Sequence, residues 1–337
     1  MKNKRMIMVL GILVVILGGA FIFSETEADS DSQSPNTGEA FKIGILQTTS
    51  HPALDDITAG TIEGLKENGY SEGENATVNF QNGQGDQNLM NTMAQTLVDE
   101  GADLLVGIGT PASQALANAT SDIPIILAAV SDPVGAGLVE SEEAPGGNVT
   151  GVKDQSPVKA QLELMMELLP ETKDIALFYS SGEDNARAEG ERAEQAAKEL
   201  GLTTVTYTAS GTNEIQQLVA KMAQEVDAIY MPTDNTIASA FDTVVSEATR
   251  YETPLIPTVD TMVAQGGLAT VGINQKQLGF ESGRMGAEVL DGREISTFPV
   301  FVLNEGEALV NLEQAERLGL TLPEAAVEEA TVVQPGE

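Results

Sequence analysis

The feature that most constrains the fold is a pattern of strands and helices that occurs twice along the chain. A helix ending in Lys-Glu-Asn-Gly-Tyr at residues 66–70 has a counterpart ending in Lys-Glu-Leu-Gly-Leu at residues 198–202. Both carry glycine where helices commonly end in a left-handed conformation. An apolar strand that begins at Asp103 is likewise matched by one that begins at Asp227. Strands that alternate with helices form parallel sheets covered on both faces, so the sequence predicts an α/β fold of two doubly wound lobes.

A polar stretch rich in Gly and Pro, residues 128–152, separates the two copies and predicts a connection between the lobes. We expect the chain to return to the first lobe at residues 272–275 and to cross again at residues 298–304, which makes a three-crossing hinge. An acidic tail at residues 324–337 is expected to fray. The predicted division is 41–149 with 273–297 for lobe 1, and 150–272 with 298–323 for lobe 2.

Residues 1–23 have the form of an export signal or membrane anchor. Residues 1–5 are basic, and residues 6–23 are an unbroken run of 18 apolar or Gly residues, at the short end of what spans a bilayer. We expect an anchor that leaves the rest of the chain on the extracellular face of the cytoplasmic membrane. Cleavage near Ala20, which would release the protein, stays open. Residues 24–40 are acidic and Ser-rich, as expected of a disordered tether.

Composition excludes several classes of function. The chain has 17 Lys and Arg against 51 Asp and Glu, a formal net charge of −34, which repels nucleic acid and anionic membrane surfaces. It has no Cys and one His, so we predict no metal and no cofactor. Asp132, Glu183 and Asp260 could act as acids or bases. Because the chain lacks a Gly-x-Ser-x-Gly nucleophile motif, we predict that it is not an enzyme.

Polar residues follow the predicted strands, at the edge where parallel sheets bind ligands. Thr110 is predicted to be a helix N-cap with Pro111 at the first helical position, so that free backbone N–H groups face the site and suit a carboxylate. Capping or turn formation alone also accounts for each such residue, and His51 also fits an ordinary loop position. The predicted ligand-binding residues are Gln47, Thr48, His51, Thr110, Pro111, Ser131, Asp132, Ser180, Ser181, Glu183, Asn185, Thr233, Asp234 and Asp260.

Short motifs at residues 43–45 (Ile-Gly-Ile), 109–111 (Gly-Thr-Pro), 131–133 (Ser-Asp-Pro), 145–151 and 279–292 carry a resemblance to a known family. Over about residues 41–322, the chain resembles the extracellular substrate-binding components of ABC importers, and more narrowly the family that binds tryptophan, phenylalanine or tyrosine. The resemblance implies the type I periplasmic-binding-protein fold. It also implies a permease and its ATPase as partners, and an L-aromatic amino acid as ligand, with L-tryptophan or L-phenylalanine first. Gram-positive members are commonly tethered through a lipid-modified Cys, which this chain lacks.

The resemblance further implies that a cleft between the lobes binds a zwitterion. It assigns the ligand's carboxylate to Thr110 with Ser180 and Ser181, and the ammonium to Asp234 and Asp260. Glu183 and Asn185 would be polar clamps, and the side-chain slot would be formed by Pro52, Leu54, Val130 and Pro133. Since the chain has no Trp, contacts to an indole would come from Phe, Tyr, Pro or aliphatic side chains.

Other functions use the same two-lobe architecture. A sugar-sensing transcriptional repressor needs a basic DNA-reading headpiece, and here an apolar run and an acidic segment occupy that position, so we exclude it. A ligand-binding sensor subunit of a membrane signalling system stays open. So does binding of a different small organic solute, because sequence spacing does not show the shape of a pocket.

Overall fold

The structure, a computed structural model, describes residues 40–304 and 306–333. Strands and helices alternate along most of this length. The strands are β1 (Phe41–Gln47), β2 (Ala76–Asn82), β3 (Leu104–Ile108), β4 (Ile125–Val130), β5 (Val149–Asp154), β6 (Asp174–Ser180), β7 (Thr203–Ala209), β8 (Ala228–Met231), β9 (Leu255–Pro257), β10 (Ala269–Gly272), β11 (Phe301–Leu303), β12 (Glu307–Val310) and β13 (Thr331–Val332). The helices are α1 (Pro52–Glu67), α2 (Gln87–Asp99), α3 (Thr110–Ala119), α4 (Val158–Leu168), α5 (Asp184–Glu199), α6 (Ile215–Met222), α7 (Asn235–Ser239), α8 (Phe241–Arg250), α9 (Asp260–Ala264), α10 (Gln275–Leu290), α11 (Leu312–Arg317) and α12 (Glu324–Glu328).

The first lobe is built on a six-stranded parallel sheet in the order β11-β5-β4-β3-β1-β2. Every residue of β3 is buried. Leu104 and Val106 belong to the apolar cluster that includes α1 and α10, whereas Leu105 belongs to the cluster that includes α2 and α3. Because alternate residues of a strand point to opposite faces, helices cover both sides of this sheet, and its central strands are apolar throughout.

The second lobe repeats the arrangement on a smaller scale. Its parallel sheet has the order β7-β6-β8-β9, and a separate three-stranded sheet has the order β10-β12-β13. The chain passes between the lobes after β5, after β10 and between β11 and β12. The predicted fold class, two doubly wound parallel-sheet lobes joined by three crossings, is confirmed.

The first crossing lies later in the chain than the sequence predicts. β5 pairs with β4, and β11 pairs with β5, so residues 150–154 and 301–303 belong to the first sheet and not to the second lobe. At Gly151 the φ angle is 145°, and a Cβ there would lie 2.3 Å from the backbone of Leu127. The stretch 131–148 is therefore a connection within the first lobe, and the chain leaves that lobe only after Asp154.

Helix α10 returns the chain to the first lobe by packing closely on α1. A Cβ at Gly64 would lie 2.2 Å from the carbonyl oxygen of Phe280, and one at Gly283 would lie 2.2 Å from that of Thr61. Such contact between helix backbones is open only to Gly. The predicted return at residues 272–275 agrees with the start of this helix.

The segment after Pro323 does not simply fray, because α12 and β13 form there and β13 pairs with β12. Residues 334–337, the predicted anchor at 6–23 and nearly all of the tether at 24–40 lie outside the described residues. Within residues 40–304 and 306–333, no helix combines the length and apolar character needed to cross a membrane.

Candidate functional site

The carboxyl ends of the two parallel sheets meet across a cavity between the lobes, as the strand order predicts. The cavity volume is about 20 Å³, room for about one water molecule. A groove of about 440 Å³ that includes Thr48, Pro111 and Glu183 also runs between the lobes. An amino acid can enter the inner cavity only if the lobes separate.

The first side of the cavity is formed by the start of α3. Gly109, with a φ of 83°, is the N-cap, and Thr110 is the first helical residue, so the prediction that Thr110 caps the helix is wrong. The cap comes instead from Thr48, whose Oγ1 accepts a hydrogen bond from Ala112 N at 3.2 Å and donates one to Ile108 O at 2.9 Å. Among the described residues, neither the backbone N–H nor the hydroxyl of Thr110 has a hydrogen-bond partner. Both groups are therefore available to a ligand.

Ser131 lies beside Thr110 in the cavity lining and is buried. Its neighbour Asp132 is not in the lining, because its carboxylate accepts a hydrogen bond from Gly135 N at 2.9 Å and forms a turn. Ala129 lines the cavity with a φ of 60°, next to a shift in the β4–β5 register. Bulges and strained residues of this kind often re-aim the chain at functional sites. We call Thr110 and Ser131 the donor wall.

The second lobe contributes oxygen acceptors to the lining. Asp234 is buried and caps α7: its carboxylate accepts hydrogen bonds from Ser180 N at 2.5 Å and Ile237 N at 2.8 Å. Burial, and then the negative charge of Glu183, raise the pKa of Asp234 to about 7, although these two backbone bonds act to lower it. The capping interaction thus places a carboxyl group in the cavity lining.

Asn185 presents an unsatisfied oxygen on the same side. Its Nδ2 donates to Thr233 O at 2.9 Å, which fixes the orientation of the amide. Its Oδ1 is buried and has no hydrogen-bond partner among the described residues. Buried amide oxygens are rarely left unpaired, so this atom is a candidate ligand contact.

Asp154 was missed by the sequence prediction because β5 was read as part of the connection between lobes. It is the last residue of β5, is 4 % exposed and lines the cavity. Burial, and then the negative charges of Glu189 and Asp260, raise the pKa of Asp154 to about 7, while Arg192 acts to lower it. An acidic residue at the end of a strand was the available signal. We call Asp154, Asn185 and Asp234 the acceptor wall.

His51 connects the lobes. Its Nε2 lies 3.3 Å from Oδ1 of Asn235, which belongs to the second lobe. Because the amide nitrogen of Asn235 donates to Glu183 at 2.6 Å, the amide oxygen faces His51, and the imidazole is the donor. Burial lowers the pKa of His51, so the neutral ring is favoured. This hydrogen bond joins the two lobes directly.

The predicted residues fall into three groups. His51, Thr110, Ser131, Asn185, Thr233 and Asp234 line the inner cavity. Thr48, Pro111 and Glu183 lie in the groove, where the carboxylate of Glu183 accepts hydrogen bonds from the backbone N–H groups of Asn235 and Thr236. Gln47, Asp132, Ser180, Ser181 and Asp260 are in neither lining.

Each residue of the last group has a local role. Gln47 donates hydrogen bonds to Thr49 O and to the carboxylate of Asp55. The backbone N–H of Ser180 donates to the carboxylate of Asp234, and the exposed Ser181 donates to Ala209 O. Asp260 accepts from Thr261 N at 2.7 Å. Burial is the largest cause that raises the pKa of Asp260, to about 6.

The apolar part of the lining differs from the predicted slot. Of the four predicted residues, Leu54 alone lines the cavity, since Pro52 is exposed, Val130 is in the core and Pro133 is buried elsewhere. Aliphatic side chains nevertheless line it, namely Ala53, Leu54, Ile57, Ala129 and Val259.

Comparisons with known proteins identify the family to which the chain belongs. A family model described as "ABC transporter substrate binding protein" matches residues 42–334. A tyrosine-binding protein of Clostridioides difficile (strain R20291) is 34% identical over 322 residues, which are 95% of this chain and 93% of that protein. A crystal structure of an ABC domain from Streptococcus pneumonia in complex with L-Trp is 45% identical, with a TM-score of 0.85 over 88% of this chain and 100% of that one.

A third relative provides a conformational contrast. The ligand-free, open structure of a substrate-binding protein with adhesive properties from Clostridium difficile is 36% identical and covers 88% of this chain and 99% of its own. Its TM-score is 0.67, lower than the 0.85 of the L-Trp complex. The described residues are thus arranged more like the L-Trp complex than like the open structure.

Proposed function

Since the chain belongs to the family of ABC transporter substrate-binding proteins, we propose that it captures an L-aromatic amino acid outside the cytoplasm and delivers it to the permease and ATPase of an importer. Members of this family bind ligands and are not catalysts. Tryptophan, phenylalanine and tyrosine are the candidate ligands. Residues 6–23 would hold the protein on the extracellular face of the cytoplasmic membrane, or release it if cleaved near Ala20.

The observation that carries the proposal is that hydroxyl donors and oxygen acceptors line one buried cavity between the lobes. A zwitterionic amino acid needs hydrogen-bond donors for its carboxylate and oxygen acceptors for its ammonium. Thr110 supplies a hydroxyl at the N-terminus of α3, where the helix dipole also favours an anion, and Ser131 supplies one directly after β4. Asp154, Asn185 and Asp234 supply the acceptors.

The side chain of the ligand would lie against the aliphatic part of the lining, which includes Leu54, Ile57 and Val259. Ligand pockets are commonly apolar with a few convergent polar groups, and this lining has that composition. The relatives that bind L-Trp and tyrosine support an aromatic side chain in particular.

Release and capture would use a hinge motion about the three crossings. The cavity volume of about 20 Å³ is too small to admit or to hold an aromatic amino acid, so the lobes must stand further apart in the complex than they do here, and the L-Trp complex and the open relative differ in their similarity to this chain. Both observations support a cleft that opens to take up ligand and closes around it.

Calorimetric titration of the full chain, purified in mild detergent and freed of carried-over ligand, tests the proposal. We expect one site for an L-aromatic amino acid and much weaker binding of L-alanine, which lacks the apolar contacts. Binding of a different small organic solute, with no binding of L-tryptophan, L-phenylalanine or L-tyrosine, would contradict the proposed ligand class. Crosslinking to a membrane kinase in place of a permease would contradict the import role and favour a sensor.

A further inference from the structure

The carboxylate of Asp154 is buried without a hydrogen-bond donor. Its side chain lines the cavity, and no described residue donates a hydrogen bond to it. The nearby Arg192 lies 3.7 Å from Glu189, whose carboxylate also accepts from Thr233 N at 3.1 Å. A buried ionised carboxylate is costly unless it is paired. No described side chain forms an ion pair with Asp154, so a cationic group of a ligand would stabilise its charged form.

The amide oxygen of Asn185 also lacks a hydrogen-bond donor among the described residues. The residue is 5 % exposed, and its Oδ1 is unpaired although its Nδ2 is held by Thr233 O. An ammonium group has three N–H donors and no acceptor. One such group can satisfy both the carboxylate of Asp154 and the amide oxygen of Asn185.

Resting on the proposed function, we infer that Asp154 and Asn185 form the subsite that binds the ammonium group of the ligand. Asp154 ends a strand of the first lobe, directly before the first crossing, whereas Asn185 lies in α5 of the second lobe. One ammonium group therefore contacts both lobes. Recognition of the amine and closure of the cleft become a single event.

The two residues predicted from the sequence to bind the ammonium are less suitable. Asp260 is not in the cavity lining and accepts a hydrogen bond from Thr261 N. Asp234 is in the lining, but its two carboxylate oxygens already accept hydrogen bonds from Ser180 N and Ile237 N. Asp234 therefore positions α7 and adds negative potential behind the subsite.

Ammonium binding at Asp154 makes affinity depend on pH. In the free protein the pKa of Asp154 is about 7, and a bound cation lowers it, so binding releases a proton below that pH. The charged groups that face Asp154 are Glu189 and Arg192 on α5 and Asp260 on α9. His51 and Asp234 share the cavity, and variants must separate their titration from that of Asp154.

The test compares two ligands on the full chain by calorimetry: L-tryptophan and indole-3-propionate, which lacks the amine. L-Tyrosine and 3-(4-hydroxyphenyl)propionate form a second pair. Asp154→Asn should lower the affinity for L-tryptophan by about thirtyfold or more, as loss of one member of a buried charge pair does. The same variant should bind indole-3-propionate as well as the parent does, or better. Asp122→Asn, on an exposed loop, is the matched control and should change neither affinity.

The second measurement is the pH dependence of L-tryptophan binding. The profile of the parent protein requires no variant and so does not depend on how well a variant folds. The parent should bind L-tryptophan about tenfold more weakly at pH 6 than at pH 8, from a pKa of about 7. Asp154→Asn should abolish most of that difference, and Asp234→Asn should keep it. Asn185→Leu should weaken L-tryptophan about two- to tenfold, with a smaller effect on indole-3-propionate.

The outcomes separate the two proposals. If the parent binds L-tryptophan and Asp154→Asn binds it equally, or if the variant weakens both ligands equally, the subsite is wrong and the proposed function stands. If the pH dependence disappears in Asp234→Asn and survives in Asp154→Asn, the ammonium binds at Asp234 instead. If the parent binds none of the aromatic amino acids, the proposed function fails and this inference fails with it.

Discussion

The donor wall and the acceptor wall face the same cavity and have opposite chemistry. The donor wall presents two hydroxyls, that of Thr110 at a helix N-terminus and that of Ser131 after β4. The acceptor wall presents carboxyl and amide oxygens. A zwitterionic ligand needs both kinds of group, donors for its carboxylate and acceptors for its ammonium. Ser131 follows β4 and Asp154 ends the neighbouring strand β5, so donor and acceptor are adjacent at this sheet edge.

The walls differ because the helices that border them are capped in different ways. At α3 the capping group is Oγ1 of Thr48, which follows β1 and accepts a hydrogen bond from Ala112 N. Thr110 therefore keeps its own polar groups for the cavity. At α7 the cap is Asp234 itself, so its oxygens are already engaged. Among the carboxylates of the acceptor wall, Asp154 is the one without a hydrogen-bond donor among the described residues. We expect the walls to respond differently when their polar groups are removed.

The largest expected effect on stability is at Asp154. Its pKa is about 7 in the folded protein against an ordinary value of 3.8, so the folded state binds more protons than the unfolded state between these values. Stability from this group is complete below about pH 4 and is lost as the pH rises to 7. Asp154→Asn should therefore raise the unfolding free energy by about 2–4 kcal/mol at pH 8 and by almost nothing at pH 4. Urea unfolding at both pH values measures this, and a difference that does not depend on pH would contradict it.

The contrast between Asp154 and Thr110 also shows what the sequence could predict. The alternation of strands and helices and the apolar run of β3 are local patterns, and they predicted the α/β class and the polar sheet edge. The pairing of β5 with β4 is not local, so the sequence did not place Asp154 at the sheet edge. The cap from Thr48 to α3 is a tertiary contact as well, and local rules therefore assigned the N-cap to Thr110.

A residue type at a strand end does not by itself distinguish a ligand contact from a local structural role. The carboxylate of Asp132 forms a turn with Gly135, and that of Asp260 accepts a hydrogen bond from Thr261 N. These are local roles of the kind that capping or turn formation would give. Asp234 combines capping with a place in the cavity.

The next effect in size is at Asp234, where the hydrogen bonds that the carboxylate accepts from Ser180 N and Ile237 N should influence stability. Asn has one acceptor oxygen, so Asp234→Asn leaves Ser180 N or Ile237 N facing an amide NH₂ group. Both variants remove a buried carboxyl group whose pKa is about 7, so at pH 8 the unfolding free energy of Asp234→Asn should be about 1–3 kcal/mol lower than that of Asp154→Asn, the cost of a buried donor without a partner. Asp122→Asn, on an exposed loop, is the control here as well and should leave ligand affinity unchanged. If Asp234→Asn proves as stable as Asp154→Asn at pH 8, the carboxylate of Asp234 does not hold α7.

The smallest effect is expected on the donor wall, at Thr110. Thr110→Val keeps the shape of the side chain and the backbone N–H and removes the hydroxyl alone. Because Thr48 provides the cap of α3, the unfolding free energy should stay within about 0.5 kcal/mol of the parent. Affinity for L-tryptophan should fall by about 0.5–1.5 kcal/mol, the usual net value of one hydrogen bond. Affinity for tryptamine, which has the amine and no carboxylate, should not change.

Ser113→Ala is the matched control on the same helix. The hydroxyl of Ser113 donates to Gly107 O at 3.1 Å and to Gly109 O at 2.9 Å, and Ser113 does not line the cavity. This variant should lower stability and leave the affinity for L-tryptophan unchanged, the reverse of Thr110→Val. If Thr110→Val weakens tryptamine as much as L-tryptophan, its hydroxyl does not bind the carboxylate. The ligand would then be oriented by the acceptor wall alone.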